Sequence, residues 1–347
     1  MNQIQITTPG PLLDEYGGLA QRGYATQPLL KYQRSAIKAP SWRVKEWDFY
    51  QVSNDEFCVQ FTIGHASYAG ALTVTFFRFA DGLRYDRDVT LPVPLDSLHM
   101  PASANEGVTA SRGGLTVGFR VEDAGPSPSD GKRRVLRCEA KATKNTPAMR
   151  ASITLRQPHD QSLVIATPFS EYPQAFYYNQ KINCMPADGF IEIGSEQFLF
   201  TADTAFGLLD WGRGVWPFHN EWYWGNGSTL VDGVPFGFNI GFGFGDTSAA
   251  SENMLFYGGV AHKLSAVTFD LAADGYMTPK HFSSDDGRFE MDFTPVYDRY
   301  TSTKLLFVDN RCHQIFGRFT GTAVLDDGRP IHVKNMMAFT EHAVNNW

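Results

Sequence analysis

FGFNIGFGF, residues Phe236–Phe244, settles which kind of secondary structure this chain uses. Phe236, Phe238, Ile240, Phe242 and Phe244 occupy the even positions, and Gly237, Asn239, Gly241 and Gly243 the odd ones. A β-strand, whose side chains alternate between faces, turns that spelling into one bulky apolar face and one almost bare face. The bare face either lets another backbone pack closely or leaves room for a ligand. Asn239 is its single hydrogen-bonding side chain, and therefore a candidate binding residue.

Outward from this strand the same pattern holds. No segment sustains an i, i+3, i+4, i+7 apolar repeat over about a dozen residues, so helices should be few and short. Strand-like runs bounded by Gly, Asn, Asp and Pro recur instead. Trp42–Val52 and Glu56–Ile63 flank the turn Ser53-Asn54-Asp55, and Gln314–Leu325 and Ile331–Glu341 flank Asp326-Asp327-Gly328. Further strands are expected along the second half, Ala266–Leu271 and Lys304–Val308 among them. The fold class is all-β, built as sandwiches or barrels. Residues 1–40, punctuated by Pro9, Pro11, Pro28 and Pro40, read as an extended arm laid over the surface.

Immediately upstream lies Asp210–Trp224, DWGRGVWPFHNEWYW, with four of the seven tryptophans: Trp211, Trp216, Trp222 and Trp224. Asp210, Arg213, His219, Glu221 and Tyr223 are interleaved with them. Flat apolar walls with a few polar groups suit a ligand pocket; the alternative is an aromatic core whose charges pair internally. Pro168–Pro186, PFSEYPQAFYYNQKINCMP, mixes aromatic and polar residues in the same way. It is expected to cross between two domains, with Tyr177 and Lys181 lining a shared site or packing an ordered connector. In the last strand Met337, Phe339 and Glu341 share a face, which puts Glu341 either at a wet sheet edge or in an apolar site. In the second case desolvation raises its pKa, as a general acid requires.

At 347 residues the chain is long for one core and comfortable for two. A formal net charge of −7 without a basic cluster argues against nucleic acid as a partner. No apolar run approaches the ~20 residues of a membrane helix, and the N-terminus lacks a signal-peptide pattern. The four cysteines, Cys58, Cys138, Cys184 and Cys312, are scattered and fit free thiols in a reducing, cytoplasmic setting. Phosphate-loop, dinucleotide, HExxH and GxSxG motifs are missing, so no cofactor is expected. His219, Glu221 and Asp210 lie near one another in sequence, but such pairs are common on sheets without metal, and no metal is expected.

Three stretches carry a resemblance. WRVKEWDFY, TPFSEYPQAFYYNQKINCMPADG, and the run from LLDWGRGVWP through WYWGNG to GFNIGFGFGD and SENMLFYGG occur in the order of a bacterial and lower-eukaryotic family known only as a domain of unknown function. The chain resembles that family over nearly its whole length. More distantly, the layout is similar to the superfamily of carotenoid 1,2-hydratases, tocopherol cyclases and AttH-like proteins. That similarity implies two consecutive lipocalin-like (calycin-type) antiparallel β-barrel or half-barrel domains, here 41–188 and 189–347, with a site near their junction.

The expected function is a cofactor-free lyase or isomerase, hydratase- or cyclase-like, acting on a small lipophilic ligand. Asp210 leads the candidate acids, followed by Glu221 and Glu341. Trp211, Trp216, Trp222 and Trp224 would be walls, and Arg213, His219, Asn239, Tyr177 and Lys181 would bind or orient. The alternative is a non-catalytic carrier of lipids or lipophilic metabolites, in which Asp210 and Arg213 form a structural ion pair. A carbohydrate-active enzyme is a weaker alternative. The oligomeric state is left open.

Overall fold

The computed structural model describes residues 3–93, 97–157, 161–269, 271, 275–305 and 308–346. Among them helix is confined to three one-turn 3-10 segments, Arg34–Ala36, Ser41–Arg43 and Pro128–Asp130; the rest of the regular structure is β. Among the described residues no helix is long and apolar enough to cross a membrane.

Two large antiparallel sheets carry the fold. The first runs, neighbour to neighbour, Arg84–Pro92, Ala69–Arg78, Phe57–His65, Val44–Ser53, Phe206–Val215, Tyr172–Ile193, Met149–Gln157, Lys132–Ala140, Leu115–Asp123 and Val108–Arg112. Its two ends approach each other, since Ala69–Arg78 packs on Leu115–Asp123 and Val108–Arg112. The sheet therefore curls into a nearly closed barrel around one core, in which Val52, Phe61 and Val74 meet Val117, Phe119, Leu136 and Ile153. The second sheet runs Val260–Lys263, Met254–Tyr257, Val234–Phe242, His219–Val231, Pro330–Asn346, Val308–Val324, Phe289–Leu305 and Lys280–Ser283. It is a half-barrel wrapped on its own core of Phe236, Phe238, Phe282, Phe289 and Phe319. Each of these rings, fully buried, contributes about 1.5–3 kcal/mol of transfer free energy.

Period-2 alternation joins the two bodies. In Phe206–Val215, Leu209, Trp211 and Val215 point into the barrel, whereas Leu208 packs with Trp224, Phe316, Met337 and Phe339 of the second sheet. Val44–Ser53 divides likewise: Val44, Tyr50 and Val52 face the barrel core, and Trp47 and Phe49 face the junction. The outer wall of the barrel is thus also an inner wall of the molecule.

Three sequence expectations need correction here. The arm at 1–40 is not simply laid on the surface, because Ile6, Leu12, Leu13, Ala25, Leu30 and Tyr32 belong to the barrel core. Its strand Gly23–Ala25 also pairs with Leu163–Phe169. Pro168–Pro186 is no connector: most of it lies in the 22-residue strand Tyr172–Ile193, which partners four other strands. Residues 188 and 189 both lie within that strand, and the chain passes from the first sheet to the second at 216–218, between Phe206–Val215 and His219–Val231. The even-position face of Phe236–Phe244 is not uniform either. Phe236, Phe238 and Ile240 enter the half-barrel core, but Gly243, at φ +98°, turns the chain over and sends Phe244 against Phe169, Tyr177, Trp216 and Trp222. Of the two remaining expectations, Ala266–Leu271 forms only a bridge from Val267 to Ser284, its residue 270 lying outside the described set. Lys304–Val308 includes 306 and 307, which also lie outside it.

Candidate functional site

Two rows of cross-strand partners face each other at the junction. On the barrel, Lys181 pairs with Asp210, Asp210 with Phe49 and Phe49 with Thr62. On the half-barrel, Gly241 pairs with Trp224, Trp224 with Glu341, Glu341 with Gln314 and Gln314 with Arg299. Residues in register across a sheet project from the same face, so each row is a line of side chains aimed at the other. Between them lies a cavity of about 230 Å³, completed by Trp47, Tyr177, Trp222, Tyr223, Phe242, Phe244 and Glu252. Phe242 is exposed, and Trp222 and Tyr223 are half-buried, which places solvent at that rim.

The charges inside are close to dry: Lys181 is 3% exposed, Glu252 7%, and Asp210 and Glu341 8% each. Lys181 Nζ lies 3.1 Å from Asp210 Oδ1, 4.0 Å from Glu252 Oε2, and 4.3 Å from the centre of the Trp224 ring. Asn179 Nδ2 donates to the same Asp210 oxygen at 2.5 Å. Glu341 is held from both sides, by Trp222 Nε1 at 2.9 Å and Gln314 Nε2 at 3.1 Å. Gln60 of the barrel donates in turn to Gln314 at 2.6 Å, so a chain of amides fixes Glu341 across the junction.

Burial pushes the Glu341 carboxyl above the ordinary value, against the lowering effect of Trp222 and Arg299. Glu252 is also raised by burial, with Lys181 opposing and Asp210 reinforcing. Among the described residues no donor bonds its carboxylate; its backbone carbonyl accepts from Asn239 Nδ2 at 2.6 Å. The loop that carries Glu252 is fastened by Lys263, which donates to Ser251 Oγ, Asn253 O and Leu264 O at 2.9, 2.6 and 2.9 Å. Burial lowers Lys263 to about 7. Gln3 fastens the same loop, accepting from the Ser251 N–H at 2.8 Å.

Six residues singled out from sequence line the cavity: Asp210, Glu341, Trp222, Trp224, Tyr177 and Lys181. The other six do not. Trp211 and Arg213 lie on the barrel face of their strand, Trp211 edge-on to Tyr32 and Tyr178. Arg213 is fully buried and paired with Asp48 at 2.8 Å, not with Asp210, its remaining donors being taken by the carbonyls of Pro101, Trp47 and Gly212. Trp216 backs the wall behind Trp47, Tyr177 and Phe244. His219 is exposed and bonded to Asn346, and Glu221 pairs with His342 outside the cavity. Asn239 is a strut, accepting from Trp224 Nε1 at 2.7 Å and Asn226 Nδ2 at 3.1 Å.

The bare face of Phe236–Phe244 is mostly a packing surface. A Cβ at Gly237 would sit 2.5 Å from Cys184 Sγ, and Asn183 donates to the Phe238 carbonyl at 3.0 Å. Only its Gly241 end approaches the cavity, beside Glu252. Sequence reasoning missed Glu252, Arg299, Gln314, Phe49, Trp47 and Thr62. Glu252 lies in SENMLFYGG, a stretch already prominent. Arg299 and Gln314 carried no local signal, because only cross-strand register brings them in.

Among the described residues no group of three or more His, Cys, Asp or Glu side chains is arranged to hold a metal ion. Solved structures with this arrangement include kievitone hydratase from Nectria haematococca, with a TM-score of 0.52 and 8% identity over 86% of this chain and 88% of that one. A protein described as AttH from Nitrosomonas europaea has a TM-score of 0.52 and 13% identity over 96% and 98%. At such identities the likeness is one of fold. No curated protein matches the sequence. Residues 3–347 match the family described as a domain of unknown function, DUF2804, and the chain belongs to it.

Proposed function

We propose that the chain is a cofactor-free lyase or isomerase that protonates a C=C bond of a lipophilic substrate held between the two sheets. The observation that carries this reading is the pair of desolvated carboxyl groups, Glu252 and Glu341, in an aromatic cavity. Desolvation disfavours the carboxylate and so keeps a transferable proton on the acid. Glu252, whose carboxyl lacks a hydrogen-bond donor among the described residues, is the proton donor. Its proton forms the new C–H bond as the π pair of the alkene is used. The positive charge left on the other carbon lies against the faces of Trp222, Trp224 and Tyr177.

In a hydration, water then bonds to that carbon and releases a proton to the Glu252 carboxylate left by the first step, while Glu341, held in place by Trp222 and Gln314, orients that water. In an isomerisation the proton comes instead from a neighbouring C–H, and the double bond re-forms one position away. Asp210, the leading acid from sequence, is engaged by Lys181 and Asn179 and serves as the fixed partner that holds Lys181. The fold shared with kievitone hydratase supports the reading by analogy only.

The test begins with whatever apolar molecule co-purifies with the protein, identified by native mass spectrometry and incubated with enzyme in D2O. Deuterium is expected at carbon, at a rate that Glu252→Gln lowers by roughly 10²–10⁴-fold while the molecule still binds. A bound molecule that takes up no deuterium makes the protein a carrier.

A further inference from the structure

Arg299 closes the half-barrel row at the end away from Trp224, and its guanidinium lines the cavity. Its surroundings differ from those of every other charge there. Nη2 donates to Thr75 Oγ1 across the junction at 3.3 Å, and Nε is buried with no hydrogen-bond partner. Thr75 donates its own hydroxyl proton to Asp86 at 2.9 Å, so Thr75 is fixed as an acceptor and aims the guanidinium. Among the described residues no carboxylate stands within ion-pair distance of Arg299. Lys181, the cavity's other cation, is occupied by Asp210.

The geometry of the sheet explains the vacant fork. Gln314 separates Arg299 from Glu341, two strand spacings or about 10 Å in all, so the two cannot pair in register. A planar guanidinium presents parallel donors suited to the two oxygens of a carboxylate. Leaving a half-buried cation without one, its Nε shut off from water, has a cost, and a ligand that brings its own anion offsets that cost. The neighbouring carboxyls do not oppose this arrangement strongly, because burial favours the protonated form of both Glu252 and Glu341.

We infer that Arg299 is the anchor for an acidic head group, and that the ligand is an amphiphile with a carboxylate at the Arg299 end and an apolar body reaching towards Trp222 and Trp224. The inference deepens the proposed function by giving the substrate class, but it concerns binding alone. A substrate so anchored presents its reactive carbons to Glu341 about 10 Å from its head.

The probes are decanoate and decan-1-ol, equal in chain and different in head, titrated into the full chain at neutral pH by calorimetry. Decanoate is expected to bind at least about tenfold more tightly, the ratio that one charge-assisted pair supports. Arg299→Gln is expected to abolish that preference while decan-1-ol affinity and the melting temperature stay unchanged; Arg299→Lys, which keeps the charge and loses the fork, should retain part of it. Equal affinities in the wild type, binding of neither probe, or a preference that survives Arg299→Gln would each overturn the assignment. A carrier of acidic lipids passes this test and fails the D2O experiment. An enzyme acting on a neutral hydrocarbon does the reverse.

Discussion

Two clusters of buried charge lie back to back on the wall between barrel and half-barrel, and they differ in how completely their hydrogen bonds are met. Inside the barrel, Arg213 spends its donors on Asp48 and three backbone carbonyls, and Glu46 accepts from Tyr32 at 2.8 Å and from Arg34. At the junction, among the described residues, Glu252 has no donor on its carboxyl and Arg299 no carboxylate, and both border open space. A charge network closed on itself contributes structure and leaves nothing for a ligand. One left incomplete beside a cavity is the kind that chemistry can use. Composition does not separate them, since each contains arginine or lysine, acids and tryptophan.

The sharpest way to break this comparison is to remove a partner from the closed cluster. Asp48→Asn leaves the buried Arg213 only the more distant Glu46 carboxylate, 3.9 Å away, and is expected to cost up to about 3–5 kcal/mol in urea unfolding; a loss below about 1 kcal/mol would mean that the barrel cluster is no more committed than the junction. Gly241→Leu comes next. Its Cβ would lie 3.1 Å from the Tyr223 carbonyl and 3.5 Å from Glu252 Oε2, so the side chain must push into the cavity. Stability should fall by about 1–3 kcal/mol, and decan-1-ol binding should weaken in the same titration. Unchanged binding would detach the Gly241 end of the row from the cavity.

The smallest effect is expected for Glu252→Gln, and it is a matter of pH. Burial raises Glu252 in the fold above its ordinary 4.5, so the unfolded chain ionises first. Wild-type stability relative to the variant is therefore undiminished below about pH 4.5 and declines as pH rises through the folded-state value. The melting temperature of Glu252→Gln should match the wild type in acid and equal or exceed it at neutral pH. The opposite trend would indicate a carboxylate stabilised by partners, placing Glu252 with the closed cluster.

Much of this was legible in the residues. The alternation in FGFNIGFGF and the absence of helical periodicity lead to a β fold, and Met337, Phe339 and Glu341 do share the face that meets the barrel. The alternation of DWGR also separates Asp210 from Trp211 and Arg213, a signal present but outweighed by the density of tryptophans in one stretch. What could not be read was register. Asp210 opposite Lys181, and Arg299 in line with Glu341, depend on strands 29 and 42 residues apart in sequence meeting at one offset and no other. The polarity of Tyr172–Ile193 misled for a related reason: its Asn179 and Lys181 bond Asp210 on the neighbouring barrel strand, and its Asn183 bonds the Phe238 carbonyl across the junction, so a strand carries polar groups without lying at the surface.

The position of the last strand has a consequence for how the molecule is made. Pro330–Asn346 lies between His219–Val231 and Val308–Val324, in the middle of its sheet rather than at an edge. A chain emerging in order from the ribosome thus produces the strand of Trp222 and Trp224 more than a hundred residues before the partner that pairs with it at Ala338–Asn346. Throughout that interval one edge of an aromatic strand has open backbone donors and acceptors, the condition in which nascent β proteins associate wrongly. The half-barrel is completed by the same segment that delivers Glu341, so acquisition of the acid and closure of the sheet are a single event in biosynthesis.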